Sequence, residues 1–326
     1  MIFRTIEFES FDQFFNEIII CESSVRVMSP KNGFIFRGES SNKYLLVPSA
    51  LRSANKDYFC SSGDFDRLGD GSYVQRIDLE KSQVEAEYII LKDFFAFADA
   101  NGLPVPNVDL IRRNFGNDIW EHLIQMTSDD TSKHKWLSYD MVELAALAQH
   151  YGVYTRMIDW TFDIFVALYF AAKGARKREL MQKESIENDM LVIWALNFAE
   201  LRFLSNFGRF PLKFVVPPYN NNPNLCVQKG ILTYWEITVD HSWTVRSGGA
   251  VTSNSAITNR EPLDKLLASF SGEKSSSPVL YKFEFPAKTW SSIFNCIQKF
   301  GYSTSKLFPG FAGVANEINE TYFNKY

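Results

Sequence analysis

Apolar residues in the first half of the chain recur at helical spacing. On one face of residues 10–21 lie Phe11, Phe14, Phe15, Ile18 and Ile19. Ser10 and Gln13 can form a capping box at the start of this helix. The same periodicity predicts helices over residues 78–100, 141–150 and 164–175. The last of these is apolar on nearly all sides, which is typical of a buried helix.

Short apolar runs bounded by turn residues predict β-strands, mostly in the second half. They cover residues 33–39, 190–196, 212–216, 231–239 and 278–285, and two terminal helices are predicted over 287–300 and 306–318. The pattern predicts an α+β fold, with a helical N-terminal half packed on a central mixed or antiparallel sheet. We expect one domain over residues 1–326, helix-rich over 1–185 and strand-rich over 186–326.

Composition and charge narrow the class of protein. Apolar residues make up 46% of the 326-residue chain, so we expect a packed core. The net charge of −4 disfavours dedicated binding to duplex nucleic acid, although a local basic groove is compatible with it. Cysteines and histidines lack metal-ligand spacing, so no metal site is predicted. Neither a signal peptide nor a membrane span is recognisable, so we expect a cytoplasmic protein with no membrane partner.

Arg37 lies at the exit of the first predicted strand, in the sequence Phe36-Arg37-Gly38-Glu39. A guanidinium at this place presents a planar fork of donors to a phosphate or carboxylate. The adjacent glycine lets a ligand or another backbone approach closely. An ordinary Arg–Glu ion pair at a strand end explains the same residues without a ligand.

Residues 149–161 carry many polar groups between two apolar helices, so those groups need partners in the protein or in a ligand. In a structural interpretation, Gly152 ends the first helix in a left-handed conformation. Asp159, Thr161 or Asp163 then caps the next helix, and Arg156 pairs with Asp159.

That interpretation explains Gln149, His150 and Tyr151 poorly, because three large polar side chains at one helix end need three sets of partners. A binding site explains them as well as a buried network does. Thr155 and Arg156, which follow in the same stretch, are further candidates for ligand contacts.

Two other features are weaker. The Gly-rich turn in residues 245–253, which leads to Thr252 and Ser253, can present backbone N–H groups to an anion, but it has neither the P-loop nor the dinucleotide pattern. Glu236 and Glu284, on predicted strands, are candidate general bases. Alternation along a strand allows either side chain to face outward.

These residues together resemble the FRG domain family, named for its Phe-Arg-Gly motif. The resemblance rests on several blocks: Phe36-Arg37-Gly38-Glu39, Val47-Pro48-Ser49 with Leu51-Arg52, Glu85 or Glu87, residues 148–152, Thr155-Arg156, Asp159-Trp160-Thr161, residues 167–171, Leu307-Phe308-Pro309-Gly310 and Gly313. The family is bacterial and phage-associated. Its aromatic-Arg-Gly strand is similar to the first motif of ADP-ribosyltransferases, where the arginine holds NAD.

The resemblance implies an NAD-dependent ADP-ribosyltransferase with an ADP-ribosyltransferase-like split sheet, acting as a toxin or anti-phage effector on a nucleic-acid or protein acceptor. The implied catalytic residues are Arg37, His150, Tyr151 and Glu39, with Glu236 or Asp159 as other carboxylates. The implied NAD-binding residues are Arg37, Gly38, Gln149, Tyr151, Thr155, Arg156 and Thr252.

Two other functions fit the same residues. One is a non-catalytic module that binds a nucleotide or nucleic acid, with Arg37, Arg52 and Arg156 on phosphates and Tyr151 or Trp160 as stacking platforms. The other is the partner-binding domain of a toxin–antitoxin pair, held by an inhibitor protein.

Overall fold

A seven-stranded sheet forms the centre of the molecule, as seen in a computed structural model. The structure describes residues 3–20, 33–55, 59, 65–67, 73–75, 79–114, 133–183, 185–206, 211–217, 219, 222–240, 260–269 and 278–322. The sheet contains β1 Phe3–Glu7, β2 Phe34–Glu39, β6 Met157–Thr161, β7 Met190–Asn197, β8 Leu212–Val215, β9 Gly230–Trp235 and β11 Leu280–Pro286, in the order β1-β11-β7-β2-β6-β9-β8.

The sheet is mixed because β1 runs parallel to β11, whereas the other neighbouring strands run antiparallel. Two short strand pairs lie outside it: β3 Phe65–Arg67 with β4 Tyr73–Gln75, and β5 Lys133–Trp136 with β10 Ile237–Asp240. The central mixed sheet predicted from the sequence is therefore confirmed.

Eleven α-helices lie among the described residues. They are α1 Phe11–Phe14, α2 Leu79–Ala100, α3 Val108–Asn114, α4 Val142–His150, α5 Ile164–Arg176, α6 Phe198–Asn206, α7 Pro223–Gln228, α8 Leu263–Ser269, α9 Trp290–Lys299, α10 Thr304–Leu307 and α11 Phe311–Tyr322. A π-helical segment, Phe15–Ile20, continues α1. As predicted, the Ser10 side chain caps α1 by accepting from the Gln13 N–H.

The buried helix α5 covers one face of the sheet. Its apolar residues pack with Phe36, Ile193, Phe283 and their neighbours into a single cluster. The close approach of α5 to β2 depends on Gly38, because a Cβ there would lie 1.8 Å from the Ala167 carbonyl oxygen. The glycine of the Phe-Arg-Gly motif thus makes room for a helix backbone, one of the two uses expected of it.

The opposite face packs a second cluster that includes Ile35, Trp160 and Trp194. Because β7 is covered on both faces, its residues from Leu191 to Leu196 are all buried. A third cluster joins α2 and α4 around the buried indole of Trp136. This last cluster adjoins the end of α4, where the polar stretch begins.

Residues 1–185 supply three of the seven strands of the sheet, β1, β2 and β6, in addition to helices α1 to α5. The structure corrects two sequence-based expectations. Residues 157–161 form β6 instead of leading directly into a helix, because Met157, Ile158 and Trp160 are buried in the sheet. The end of the chain folds as three helices, α9 to α11, where two were predicted. Among the described residues, no helix is both long and apolar enough to cross a bilayer.

Candidate functional site

An open cavity lies where β2, β6 and the end of α4 meet α5 and α7. Its volume is about 380 Å³, which falls in the range of small-molecule sites. Arg37, Gln149, His150, Tyr151 and Asp159 line it together, although more than a hundred positions separate the first from the others. We refer to this space as the Arg37 cavity.

The Arg37 cavity opens where β2 and β6 separate. The two strands share one register pair, Phe36 with Thr161, whereas β2 and β7 stay paired from Phe34 to Glu39. Beyond that pair the Arg37 side chain bridges the strands, because its Nη1 donates to the Asp159 backbone oxygen at 3.0 Å. At the mouth of the cavity, a side-chain hydrogen bond thus takes the place of a backbone hydrogen bond between the two strands.

Two carboxylates hold the Arg37 guanidinium. Its Nε donates to Glu39 Oε1 at 2.8 Å, its Nη2 lies 2.7 Å from the same oxygen, and its Nη1 is 3.8 Å from Asp159 Oδ2. Burial acts to lower the pKa of Arg37, but Glu39 and Asp159 outweigh it, so the pKa is raised and the charge is permanent. Arg37 and Glu39 therefore form the ion pair that the sequence allowed, and Arg37 also lines the cavity.

Asp159 is the sole carboxylate among the described residues that line the Arg37 cavity. Its side chain is 52% exposed, whereas that of Glu39 is 14% exposed and does not line the cavity. Gln149 Nε2 donates to Asp159 Oδ2 at 2.9 Å, which fixes the carboxylate on the side facing α4.

The orientation of Gln149 is itself determined by its neighbours. Its Oε1 accepts from the Thr155 hydroxyl at 2.8 Å and from the Thr155 N–H and the Ser49 hydroxyl at 3.3 Å. With the amide oxygen engaged in this way, the amide nitrogen faces Asp159. Thr155 is 4% exposed and does not line the cavity, so it positions Gln149 from behind.

His150 and Tyr151 form the rim at the C-terminal end of α4, where Gly152 adopts a left-handed conformation with φ of 93°, as expected. Their rings meet edge to face, with centroids 5.3 Å apart, and Tyr151 is 60% exposed. Burial lowers the pKa of His150, while Asp159 and the Asn222 side chain act in the opposite direction. The imidazole is therefore biased towards its neutral form.

The far wall of the Arg37 cavity, which sequence reasoning missed, comes from α7 and β9. Asn224 and Gln228 of α7 line the cavity, and the buried Asn224 Oδ1 has no hydrogen-bond partner. The sequence does carry a signal for this helix: Asn222 caps it and Pro223 is its first residue, as is typical of helix N-termini. Nothing in that signal indicates that the helix faces Arg37.

Arg156 lies outside the Arg37 cavity, in a buried ion pair that the sequence did not indicate. Its Nε and Nη2 donate to the two oxygens of Glu87 at 2.7 and 2.9 Å. The Trp136 indole and the Gln83 amide also donate to Glu87. The expected pairing of Arg156 with Asp159 is wrong. Arg156 instead anchors the chain between α4 and β6 to α2.

Asp163, not Asp159, caps α5, since its Oδ1 accepts from the Phe165 N–H at 3.0 Å. Its Oδ2 accepts from Lys229 at 2.7 Å and from the Tyr302 hydroxyl at 2.6 Å. The bond from Lys229 connects the start of α5 to the segment between α7 and β9, and so holds two walls of the cavity together.

The remaining candidates are not brought to the cavity. Glu236 pairs with Lys135 at 3.1 Å, and Glu284 pairs with Lys282 at 2.8 Å on β11. Thr252 and the whole Gly-rich turn fall outside the described residues. No group of three or more His, Cys, Asp or Glu side chains in the described part of the chain is placed to hold a metal ion.

Comparison with protein families identifies the segment that carries most of these residues. Residues 32–180 match the FRG domain model. This part of the chain is similar to the FRG domain family. The comparisons with curated proteins and with solved structures gave no significant match.

The matched segment supplies Arg37, Gln149, His150, Tyr151 and Asp159 to the cavity, together with α5. The wall formed by α7 and β9, and Phe308 at the other side, come from residues beyond the matched range. The Leu307–Gly310 segment and Gly313 also lie beyond it, although they contributed to the resemblance. The Arg37 cavity is thus completed by the C-terminal part of the chain.

Proposed function

We propose that the chain binds NAD in the Arg37 cavity and transfers its ADP-ribosyl group to an acceptor. The observation that carries this proposal is the placement of Arg37 and Asp159 side by side in one open cavity, with the exposed Tyr151 ring at its rim. A fixed cation, a partly exposed anion and an aromatic ring are the groups needed to hold a dinucleotide whose nicotinamide ring is cationic.

Arg37 is suited to a phosphate of the dinucleotide. A guanidinium has five N–H donors, and the contacts with Glu39 and Asp159 use one on each of its three nitrogens. Two donors remain for a ligand, in an orientation that the two carboxylates hold fixed. Such charge-assisted bonds are among the stronger hydrogen bonds in proteins.

Asp159 is the residue to which we assign electrostatic stabilisation of the reaction. The bond from the nicotinamide nitrogen to the ribose C1′ breaks, and its electron pair leaves with nicotinamide. Positive charge then develops on the ribose, and a carboxylate beside it stabilises that charge. The acceptor nucleophile forms the new bond to C1′ and releases its proton. Glu39 and Glu236 are less suited, because neither lines the cavity.

Asn224 is suited to the carboxamide of nicotinamide. Its Oδ1 is buried without a partner at the cavity wall, and an unpaired buried acceptor costs stability until a donor meets it. The amide group of nicotinamide carries two such donors. We therefore include Asn224 in the proposed NAD site, in addition to the residues expected from the sequence.

The sheet geometry also supports the proposal of an ADP-ribosyltransferase-like split sheet. The pairing between β2 and β6 is limited to Phe36 and Thr161, and the cavity lies beside this opening. A sheet that separates between two central strands exposes the polar ends of both strands to a ligand.

The test is release of nicotinamide from NAD by the purified protein, with and without cell extract as a source of acceptor. We expect release by the wild type, a large loss in Asp159→Asn, and normal release in Glu236→Gln, a carboxylate variant outside the cavity. A folded wild type that releases no nicotinamide under either condition overturns the transferase proposal.

A second candidate function is nucleotide binding without turnover. It is favoured by the single carboxylate among the described cavity residues, since that leaves Asp159 to act without a second carboxylate. Its signature is saturable binding of NAD or a mononucleotide that Arg37→Ala weakens, with no nicotinamide release.

We also propose that the chain acts as a toxin or anti-phage effector, regulated by an inhibitor protein. The support is the family resemblance together with the proposed consumption of NAD. Induced expression in bacteria should arrest growth, and Arg37→Ala should relieve the arrest at equal protein levels. Arrest that persists in Arg37→Ala contradicts this role.

A further inference from the structure

A second cavity lies on the other side of Tyr151. Its volume is about 670 Å³, and its walls include Phe94, Phe97, Pro104, Pro106 and Asn222 in addition to Tyr151. Tyr151 lines both cavities, so a ligand in one is adjacent to a ligand in the other. We refer to this space as the Phe97 cavity.

The lining of the Phe97 cavity is uncharged. None of the described residues that line it carries a charge, which disfavours a phosphate, a carboxylate or an ammonium group inside it. Aromatic and proline rings form much of the wall, and Phe97 is 71% exposed although it lies on the face of α2 that meets this space. Exposed rings around a neutral cavity favour a planar aromatic occupant.

Asn222 adds a polar requirement. It is 4% exposed, and its Oδ1 accepts from the Leu225 N–H at 3.2 Å as the cap of α7. Its Nδ2 is buried without a partner that accepts its protons, whereas the same side chain also acts as a hydrogen-bonding group on the adjacent His150 imidazole and acts to raise the pKa of His150. A hydrocarbon occupant leaves this donor unpaired, whereas a ring nitrogen or carbonyl oxygen satisfies it.

We propose that the Phe97 cavity binds the neutral heteroaromatic base of a nucleoside, of the purine type. Phe97 and Tyr151 supply ring faces for stacking, and Asn222 Nδ2 donates to an acceptor on the base. The base has two possible sources: the adenosine half of a dinucleotide that extends past Tyr151 from the Arg37 cavity, or a separate nucleoside that accepts the transferred group. The identity of the site rests on the lining of the Phe97 cavity, and only the choice of source depends on the proposed function.

The test uses adenosine alone as the probe, with binding followed by calorimetry or ligand-observed NMR. We expect saturable binding to the wild type, weakened roughly fivefold or more in Phe97→Ala, because a stacked base contributes about 1–3 kcal/mol. The matched control is Phe311→Ala, which removes a 95%-exposed ring that lines neither cavity. Because the Phe97 side chain is exposed, we expect Phe97→Ala to stay folded, and a thermal melt checks this.

A competition experiment distinguishes the two sources. If adenosine displaces NAD and Phe97→Ala weakens both, the base belongs to the dinucleotide. If adenosine binds the NAD-loaded protein without displacement, it occupies the acceptor position. No saturable binding of adenosine to the wild type, or equal affinity in Phe97→Ala and wild type, overturns the proposal. This result is independent of nicotinamide release, so failure of the transferase proposal alone leaves it standing.

Discussion

Arg37 Nη1 donates to the backbone oxygen of Asp159 at 3.0 Å, across 122 positions of sequence and across the opening between β2 and β6. The same nitrogen lies 3.8 Å from the Asp159 carboxylate. One guanidinium therefore closes a gap in the sheet and fixes a charged group at the mouth of the cavity. This dual role means that a change at Arg37 affects local strand geometry in addition to ligand contacts.

Replacement of Arg37 by Lys should weaken NAD binding by about tenfold or more, because Lys keeps the charge but lacks the planar fork. The measurement is calorimetric titration with NAD. The control is Arg112→Lys, since Arg112 also pairs with an aspartate, Asp99, but on the surface. Equal NAD affinity in Arg37→Lys and Arg112→Lys contradicts the assignment of Arg37.

Asp159→Asn should lower nicotinamide release by about two to three orders of magnitude, by analogy with loss of other electrostatic stabilisers, with a smaller change in NAD affinity. Asn preserves the shape of the side chain and can still accept from Gln149, and the backbone bond to Arg37 is unaffected. Glu39→Gln, which changes a carboxylate outside the cavity, should reduce release less. A larger loss of nicotinamide release in Glu39→Gln than in Asp159→Asn contradicts the assignment of charge stabilisation to Asp159.

Local pattern predicted the parts of the site but not all of their partners. The strand ending at Arg37, the helix ending at Gln149 to Tyr151 and the buried helix α5 follow from hydrophobic periodicity and caps. β6 was not predicted from the sequence, because Asp159 interrupts its short apolar run of five residues. A single charged residue in so short a strand is enough to hide it.

Long-range pairing was the other limit. Glu87 lies 69 positions before Arg156. Hydrophobic periodicity does not indicate which of the charged residues forms an ion pair with which. Asp159 was the nearer candidate for Arg156 by sequence distance alone. Likewise α7 lines the same cavity as Arg37 because β9, which follows α7, pairs with β6, and the walls of the Phe97 cavity combine residues 94–106 with Pro217 and Asn222. Such juxtapositions are set by strand order, which no local signal specifies.

Glu87→Gln should destabilise the protein by about 3–5 kcal/mol, because it leaves the Arg156 charge buried without its partner. Both side chains are under 5% exposed, so solvent cannot compensate. Urea unfolding measures the change, and Asp99→Asn at the exposed Arg112 pair should cost about 1 kcal/mol or less. Similar costs at the two pairs contradict the anchoring role of Arg156.

Gly38→Ala should destabilise the protein by about 1–3 kcal/mol or more, because the new methyl group overlaps the backbone of α5. The reference is Gly102→Ala, where φ is 67° but no atom lies within 4 Å of the added carbon. Gly102→Ala therefore reports backbone strain without overlap. Only the Gly38 variant should also weaken NAD binding, since α5 forms a wall of the Arg37 cavity. Equal destabilisation at the two glycines, measured by urea unfolding, disproves the packing argument.

The His150 imidazole should make stability depend on pH below neutrality. Burial lowers the pKa of His150 from its ordinary 6.5 in the folded protein, so the unfolded chain takes up the proton first as the pH falls. The contribution of His150 is therefore present above about pH 6.5 and is lost as the pH drops through the folded pKa. The lowered pKa values of the Asp189 and Glu317 carboxylates act at a more acidic pH, below their ordinary 3.8 and 4.5. Between about pH 7.5 and 5.5, wild type should thus lose more unfolding free energy than His150→Gln, as measured by urea titrations at each pH. An equal or greater loss in His150→Gln shows that this imidazole is not held neutral by its place in the site.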